Sequence, residues 1–317
     1  MEPSSLQTHP VQIAAIATVS IINIVGLFLL NKLKESQRSA PQRWSWEHRR
    51  NAFWTLIACS VTISCVLDVR FPIDARIMLP IKTYVMAFPL GLLDLYFSDT
   101  NGVPMKVVFG ACLWCSCVVL RNIAMGKLLG EEIGPVVMLK EVTPSVLLVE
   151  MVRYAFFLAG TGMLSDLIFS PMHRATHSSL VYKHHHKSHH DYTNKLTALV
   201  LFHGNLLDDF LMPFTTTIGG FIYVLLLRQF GLESQFSSNL TQYLVAVNIL
   251  LSHAHDIRCA KLLAPLPDGL NFVAYHYVHH ISPANNFGLT EPSDLLWDYV
   301  FGVKTIAKVE DFENKQH

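Results

Sequence analysis

Eighteen residues, His173 to His190, read HRATHSSLVYKHHHKSHH, and seven of them are histidine. His173 and His177 are four apart, and His186, His189 and His190 form an H-x-x-H-H unit that returns downstream as His276, His279 and His280. On a helix, positions i, i+3 and i+4 share one face. Each box therefore aims two or three imidazoles into one volume, and three such faces together offer eight nitrogen ligands. Eight is too many for one ion and about right for two. Of 16 histidines in the chain, 13 fall between positions 173 and 280. Imidazoles crowded in this way cannot all carry protons, because like charges repel. They can all be neutral metal ligands, the commonest such role in proteins.

The metal is not chosen by softness alone, since imidazole suits zinc, copper, iron and nickel alike. Structural zinc sites usually take four ligands, with cysteine a frequent one, and no cysteine neighbours any box. An all-histidine cage of eight beside apolar helices suits a pair of non-haem irons with positions left for oxygen. Such a centre supplies oxidising power that side chains lack, enough for an inert lipid methyl or methylene.

The elements that must carry these boxes are apolar. Charged residues make up 15% of the 317, against about 25% in an ordinary soluble domain. Mean hydropathy is +0.34. These values suit a membrane protein, and the formal net charge of zero gives no basic footprint for nucleic acid. Residues 1–10 lack the positive start of a secretory signal. Residues 11–30 are uncharged and long enough to span a bilayer. Further apolar runs lie at 52–67, 77–97, 107–120 and 145–169. Inside the last, Glu150 and Arg153 are spaced to pair, which lowers the cost of burying them. A second apolar hairpin runs from 210 to 227 and back over 240–251, with a glycosylation sequon at Asn239.

Between the first two runs, residues 32–50 hold six basic side chains against Glu35 and Glu47, together with Trp44 and Trp46. Basic loops stay cytoplasmic. If all five runs cross, parity puts the histidine boxes on that same cytosolic side. Cys112 and Cys115 form a C-x-x-C inside an apolar run and read as buried small hydrophobes. The expected fold class is therefore all-α: a multi-span membrane helical bundle with a cytosolic, histidine-rich helical cap holding a di-metal site.

Asp166, His173-Arg174 and His177, then Tyr182-Lys183, His186-Lys187, His189-His190 and Tyr192-Thr193, resemble the opening motifs of the fatty acid hydroxylase superfamily, which includes sterol desaturases and sterol methyl oxidases. The third box with Asn286-Phe287-Gly288, Trp297-Asp298 and Phe301-Gly302 is similar to its closing signature. The resemblance covers roughly residues 145–305. It implies a catalytic domain there, after an N-terminal transmembrane region over 1–144 and before a tail over 306–317. It further implies a multi-pass enzyme of the endoplasmic reticulum membrane that uses dioxygen and NAD(P)H electrons. The eight box histidines carry over as ligands of two iron ions, which zinc could replace in purified samples. A further ligand falls between the second and third boxes, where His253 is favoured over His255; His203 reads either as a ligand or a neighbour of one, or as plain structure.

Two departures, Ser170-Pro171 ahead of the first box and Tyr277 within the third, bear on the substrate cavity rather than the ligands. No H-P-G-G haem motif is present, so the resemblance implies a separate cytochrome b5-type donor and its reductase. A sterol is the favoured substrate and a fatty-acyl or sphingolipid hydroxylase the alternative. Desaturation, hydroxylation and methyl oxidation begin from the same hydrogen abstraction and stay open. A histidine-rich metal transporter is the rival from another class, though its ligands should line the spans, and a lipid-binding member without catalysis is a third reading.

Overall fold

The computed structural model describes residues 143–191, 205–232 and 266–308, with scattered positions between 18 and 36. The apolar runs at 52–67, 77–97, 107–120 and 240–251, the C-x-x-C, the sequon, and His203, His253 and His255 lie outside the described residues. Among the described residues every regular element is helical.

Helix α1, Pro144–Thr176, is 33 residues long. Thr143 caps its start by accepting the Val146 N–H at 3.3 Å, and Pro144 fills the first turn, where no N–H is needed. At 1.5 Å per residue its first 20 residues cover about 30 Å, the thickness of a hydrocarbon core. The rest of the helix carries Asp166, His173 and Arg174 onward from that apolar stretch. Among the described residues α1 is the one helix long and apolar enough to cross a membrane. Its outer face exposes Leu148, Val149, Met151, Val152, Phe156 and Met163, and Glu150 pairs with Arg153 at 2.7 Å as their spacing allows.

Pro171 sits inside α1 and cannot donate to the Leu167 carbonyl four residues back. That carbonyl instead accepts the Trp297 indole N–H at 2.8 Å, so the gap left by proline becomes the docking point for the last helix. Helix α2 is a single turn, Ser179–Val181, and leads into a π turn, Tyr182–His186, then a 3₁₀ turn, Lys187–Asp191.

Helix α3, Leu206–Gln229, covers the first arm of the expected hairpin. Its C-terminal part, Ile218–Gln229, is an apolar helix among the described residues. It packs closely along α1: a Cβ on Gly219 would lie 2.5 Å from the Ser165 backbone N, and one on Gly160 would lie 2.1 Å from the Tyr223 ring. Small residues at a helix contact permit such an approach.

Helix α4, Phe272–Ile281, begins at Asn271, whose side chain accepts the Ala274 N–H. It buries Val273, Tyr275, His276, Val278, His279 and His280. Helix α5, Glu291–Phe301, ends at Gly302 with φ +64°, a left-handed turn that glycine adopts without cost. This helix is inverted for a soluble protein: Ser293, Asp294 and Asp298 are buried, while Leu295, Leu296, Tyr299 and Val300 are exposed.

Candidate metal centre

The C-terminal end of α1, the π–3₁₀ segment and α4 meet with their histidines inward. Their nitrogens sort into two sets. His173, His177, His186, His190 and His279 form one, and His189, His276 and His280 the other; within each set the ligand atoms lie within 4.8 Å of one another. The first box thus goes wholly to the larger set, while the second and third boxes are each divided. The division follows from the backbone. His186 and His190 keep i,i+4 spacing across the change from π to 3₁₀ winding, while His189 turns toward α4, its ring 4.9 Å from that of His280. The second box therefore does not lie on a regular α-helical face; a π turn at a functional site is a common departure.

Nitrogens about 2.0–2.1 Å from a shared ion lie about 2.9 Å apart at a right angle and about 3.3 Å apart at the tetrahedral angle. Here the His173 and His186 Nε2 atoms are 2.9 Å apart, His186 and His190 3.1 Å, and His276 and His280 3.2 Å. These are the edges of a coordination shell. The second ring nitrogen fixes the tautomer. The Nδ1–H of His173 donates to the Phe287 carbonyl at 2.6 Å, and the Nδ1–H of His279 donates to the Asn285 carbonyl at 2.7 Å. Both rings then present a lone pair at Nε2. The Nε2 atoms of His177 and His279 are buried without a hydrogen-bond partner, a costly state that a bound cation would relieve. The donor set fits one divalent ion in each group.

Burial and the facing His186 ring push the His177 imidazole down to about 3. Burial and the rings of His190, His177 and His276 push His279 well below the usual range. His177 and His279 are thus held neutral, as ligation requires. Phe287 stands against them, its ring centroid 5.3 Å from that of His177 and 5.6 Å from that of His279. The Phe169 ring lies tilted against His173, with centroids 4.8 Å apart. These rings keep the immediate surroundings apolar.

His184 is exposed and His185 half-buried, and both stay out of the two sets. Asp166 is not among the grouped ligands either. Its carboxylate accepts the Leu289 N–H at 2.6 Å and the Thr290 hydroxyl at 2.5 Å, tying α1 to the loop before α5. Arg174 pairs with Asp298 at 2.7 Å and lies 4.8 Å over the Phe287 ring. Burial raises Asp298, but Arg174 and Thr305 outweigh it and hold the carboxyl below its ordinary range.

Sequence reasoning gave no role to Asp294. It is fully buried and accepts from Ser170 at 2.6 Å, Tyr275 at 2.9 Å and the Gly288 N–H at 2.9 Å. Ser170 is one of the two departures ahead of the first box, so its hydroxyl serves as a strut between α1 and α5. The signal was the four-residue spacing of Asp294 and Asp298, which puts both on one face of α5.

Residues 158–303 match the family model described as fatty acid hydroxylase. This segment is a fatty acid hydroxylase domain. No curated protein and no solved structure matches the chain. The family that this segment matches suggests a membrane-associated oxidase of the lipid hydroxylase or desaturase type. All eight grouped histidines fall inside the hydroxylase domain, as do Asp166, Arg174 and Asp294.

Proposed function

We propose that the chain is a membrane non-haem di-iron oxidoreductase that uses dioxygen to hydroxylate, desaturate or demethylate a lipid, with a sterol as substrate. The observation that carries this reading is the pair of inward-facing histidine sets inside the hydroxylase domain. His173, His177, His186, His190 and His279 hold one iron, and His189, His276 and His280 the other. The second set is the smaller among the described residues, which favours giving it the further histidine, His253 ahead of His255, with His203 either a further ligand, a neighbour of one, or structural. Bound iron supplies the oxidising power for an unactivated C–H bond.

The protein's part is placement and exclusion of water. The Phe287 and Asn285 carbonyls orient two ligand rings, and Phe169 and Phe287 keep the cage dry. The exposed apolar face of α1 supports a bilayer around the domain, which we take as residues 145–305 following a membrane region over 1–144. In this reading the protein is multi-pass in the endoplasmic reticulum, with the cage toward the cytosol. Electrons come from NAD(P)H through a cytochrome b5-type carrier and its reductase.

Lipid profiling of cells lacking the protein tests the substrate. A sterol precursor should accumulate and be cleared by the wild-type chain but not by His177→Ala. Unchanged sterols with altered acyl chains or sphingolipids would overturn the sterol assignment.

A further inference from the structure

Two histidines of the larger set come from different helices, His173 from α1 and His279 from α4, yet their outer nitrogens are held by one short loop. Asn285 and Phe287 supply the two accepting carbonyls. Between them stands Asn286, the one described non-glycine residue with positive φ, at +50°. The left-handed region is disfavoured for L residues, with asparagine among the most tolerant.

Asn286 is fully buried, and every polar group of its side chain is used in a single amide orientation. Its NH₂ donates to the Tyr275 carbonyl at 3.1 Å and to the Ala307 carbonyl at 3.0 Å. Its Oδ1 accepts the Ala307 N–H at 2.8 Å. Its backbone N–H donates to the Thr305 carbonyl at 3.1 Å, which also accepts the Asn285 side-chain amide at 2.8 Å. The segment after α5 thereby clamps the loop from one side, and the backbone of α4 next to His276 clamps it from the other.

We propose that Asn286 is a positioning residue for the five-histidine centre. It holds the left-handed turn that faces the carbonyls on either side of it toward His173 and His279, and so sets the tautomer and tilt of both rings. The inference rests on reading the two histidine sets as metal sites. It adds that the C-terminal segment around Thr305–Ala307 acts on the five-histidine centre through this loop.

The test uses the full-length purified protein, stripped of metal and titrated with cobalt(II), whose visible d–d bands report the ligand field of each site. His177→Ala and His276→Ala assign the bands to the larger and smaller sets. Asn286→Gly keeps access to positive φ and deletes the clamp. It should shift the bands assigned to the larger set and weaken cobalt binding there about 10-fold or more, as loss of ligand-orienting partners does, while leaving the smaller set's bands in place. Ala307→Pro, which removes the N–H given to Asn286 and fixes φ at 307, should do the same to a smaller degree and serves if Asn286→Gly does not fold.

Wild-type bands and affinity in both variants, or equal losses at both centres, would overturn the role of Asn286 while leaving the metal sites intact. A wild-type protein that takes up no cobalt would instead overturn the metal-centre reading, and the positioning role with it.

Discussion

One residue of register separates His186, whose Nε2 meets those of His173 and His190, from His185, which joins neither set. Replacing His186 with Ala should abolish turnover and remove metal from the larger set. His185→Ala should cost less than a factor of a few in either. Metal analysis and turnover on the two purified variants decide this, and comparable damage from His185→Ala would require the site to be rebuilt around His185 and His189. The depressed His177 also has an acid signature in the metal-free protein. His177 titrates at about 3 when folded and near 6.5 when unfolded. Between those values the unfolded chain binds more protons, so stability is full above about pH 6.5 and falls as pH drops toward 3. The slope is about 1.4 kcal/mol per pH unit for each histidine kept neutral in this way. Thermal unfolding of stripped protein at pH 7.5, 6.0 and 5.0 should show a falling midpoint; a flat profile would mean the rings are already solvated and protonated.

At the scale of elements, the contact between α1 and α3 depends on Gly219, whose missing Cβ leaves room for Ser165. Gly219→Val should destabilise the protein by about 1–3 kcal/mol or more, since the obstacle is backbone as well as side chain. Asp294→Ala should cost a similar amount by stranding Ser170, Tyr275 and the Gly288 N–H. Denaturation midpoints in detergent report both, with little change expected from the exposed control Leu295→Ala. The two elements differ in how far sequence could reach them. The apolar run ahead of the first box, with its Glu150–Arg153 pair, announced α1 and its direction. The i,i+3,i+4 spacing announced that the boxes converge. Neither the π–3₁₀ winding nor the division of two boxes between two centres was legible, because both depend on how the segment after α1 meets α4. The inward polar face of α5 was also hidden, because nothing in the sequence pairs Asp294 with Ser170 and Tyr275 or Asp298 with Arg174 and Thr305.

For the whole molecule, the sequence gives a side as well as a site. The six basic residues between positions 32 and 50 predict that this loop and the cage share the cytosolic face. In sealed, right-side-out vesicles, cysteines introduced at 38 and 184 should react with an impermeant maleimide from the cytosolic face alone; labelling of position 184 from the lumen would reverse the orientation. Composition and motif spacing were enough to read a membrane oxidase, whereas the pairing of histidines into centres needed three dimensions.

The central claim is that eight histidines hold two ions in two distinct sets, and counting metal in purified protein tests it most directly. Wild-type protein should carry two ions per chain, iron when active, while His177→Ala and His276→Ala should each retain one and the double variant none. One ion in the wild type, or two in either single variant, would contradict the two-centre account.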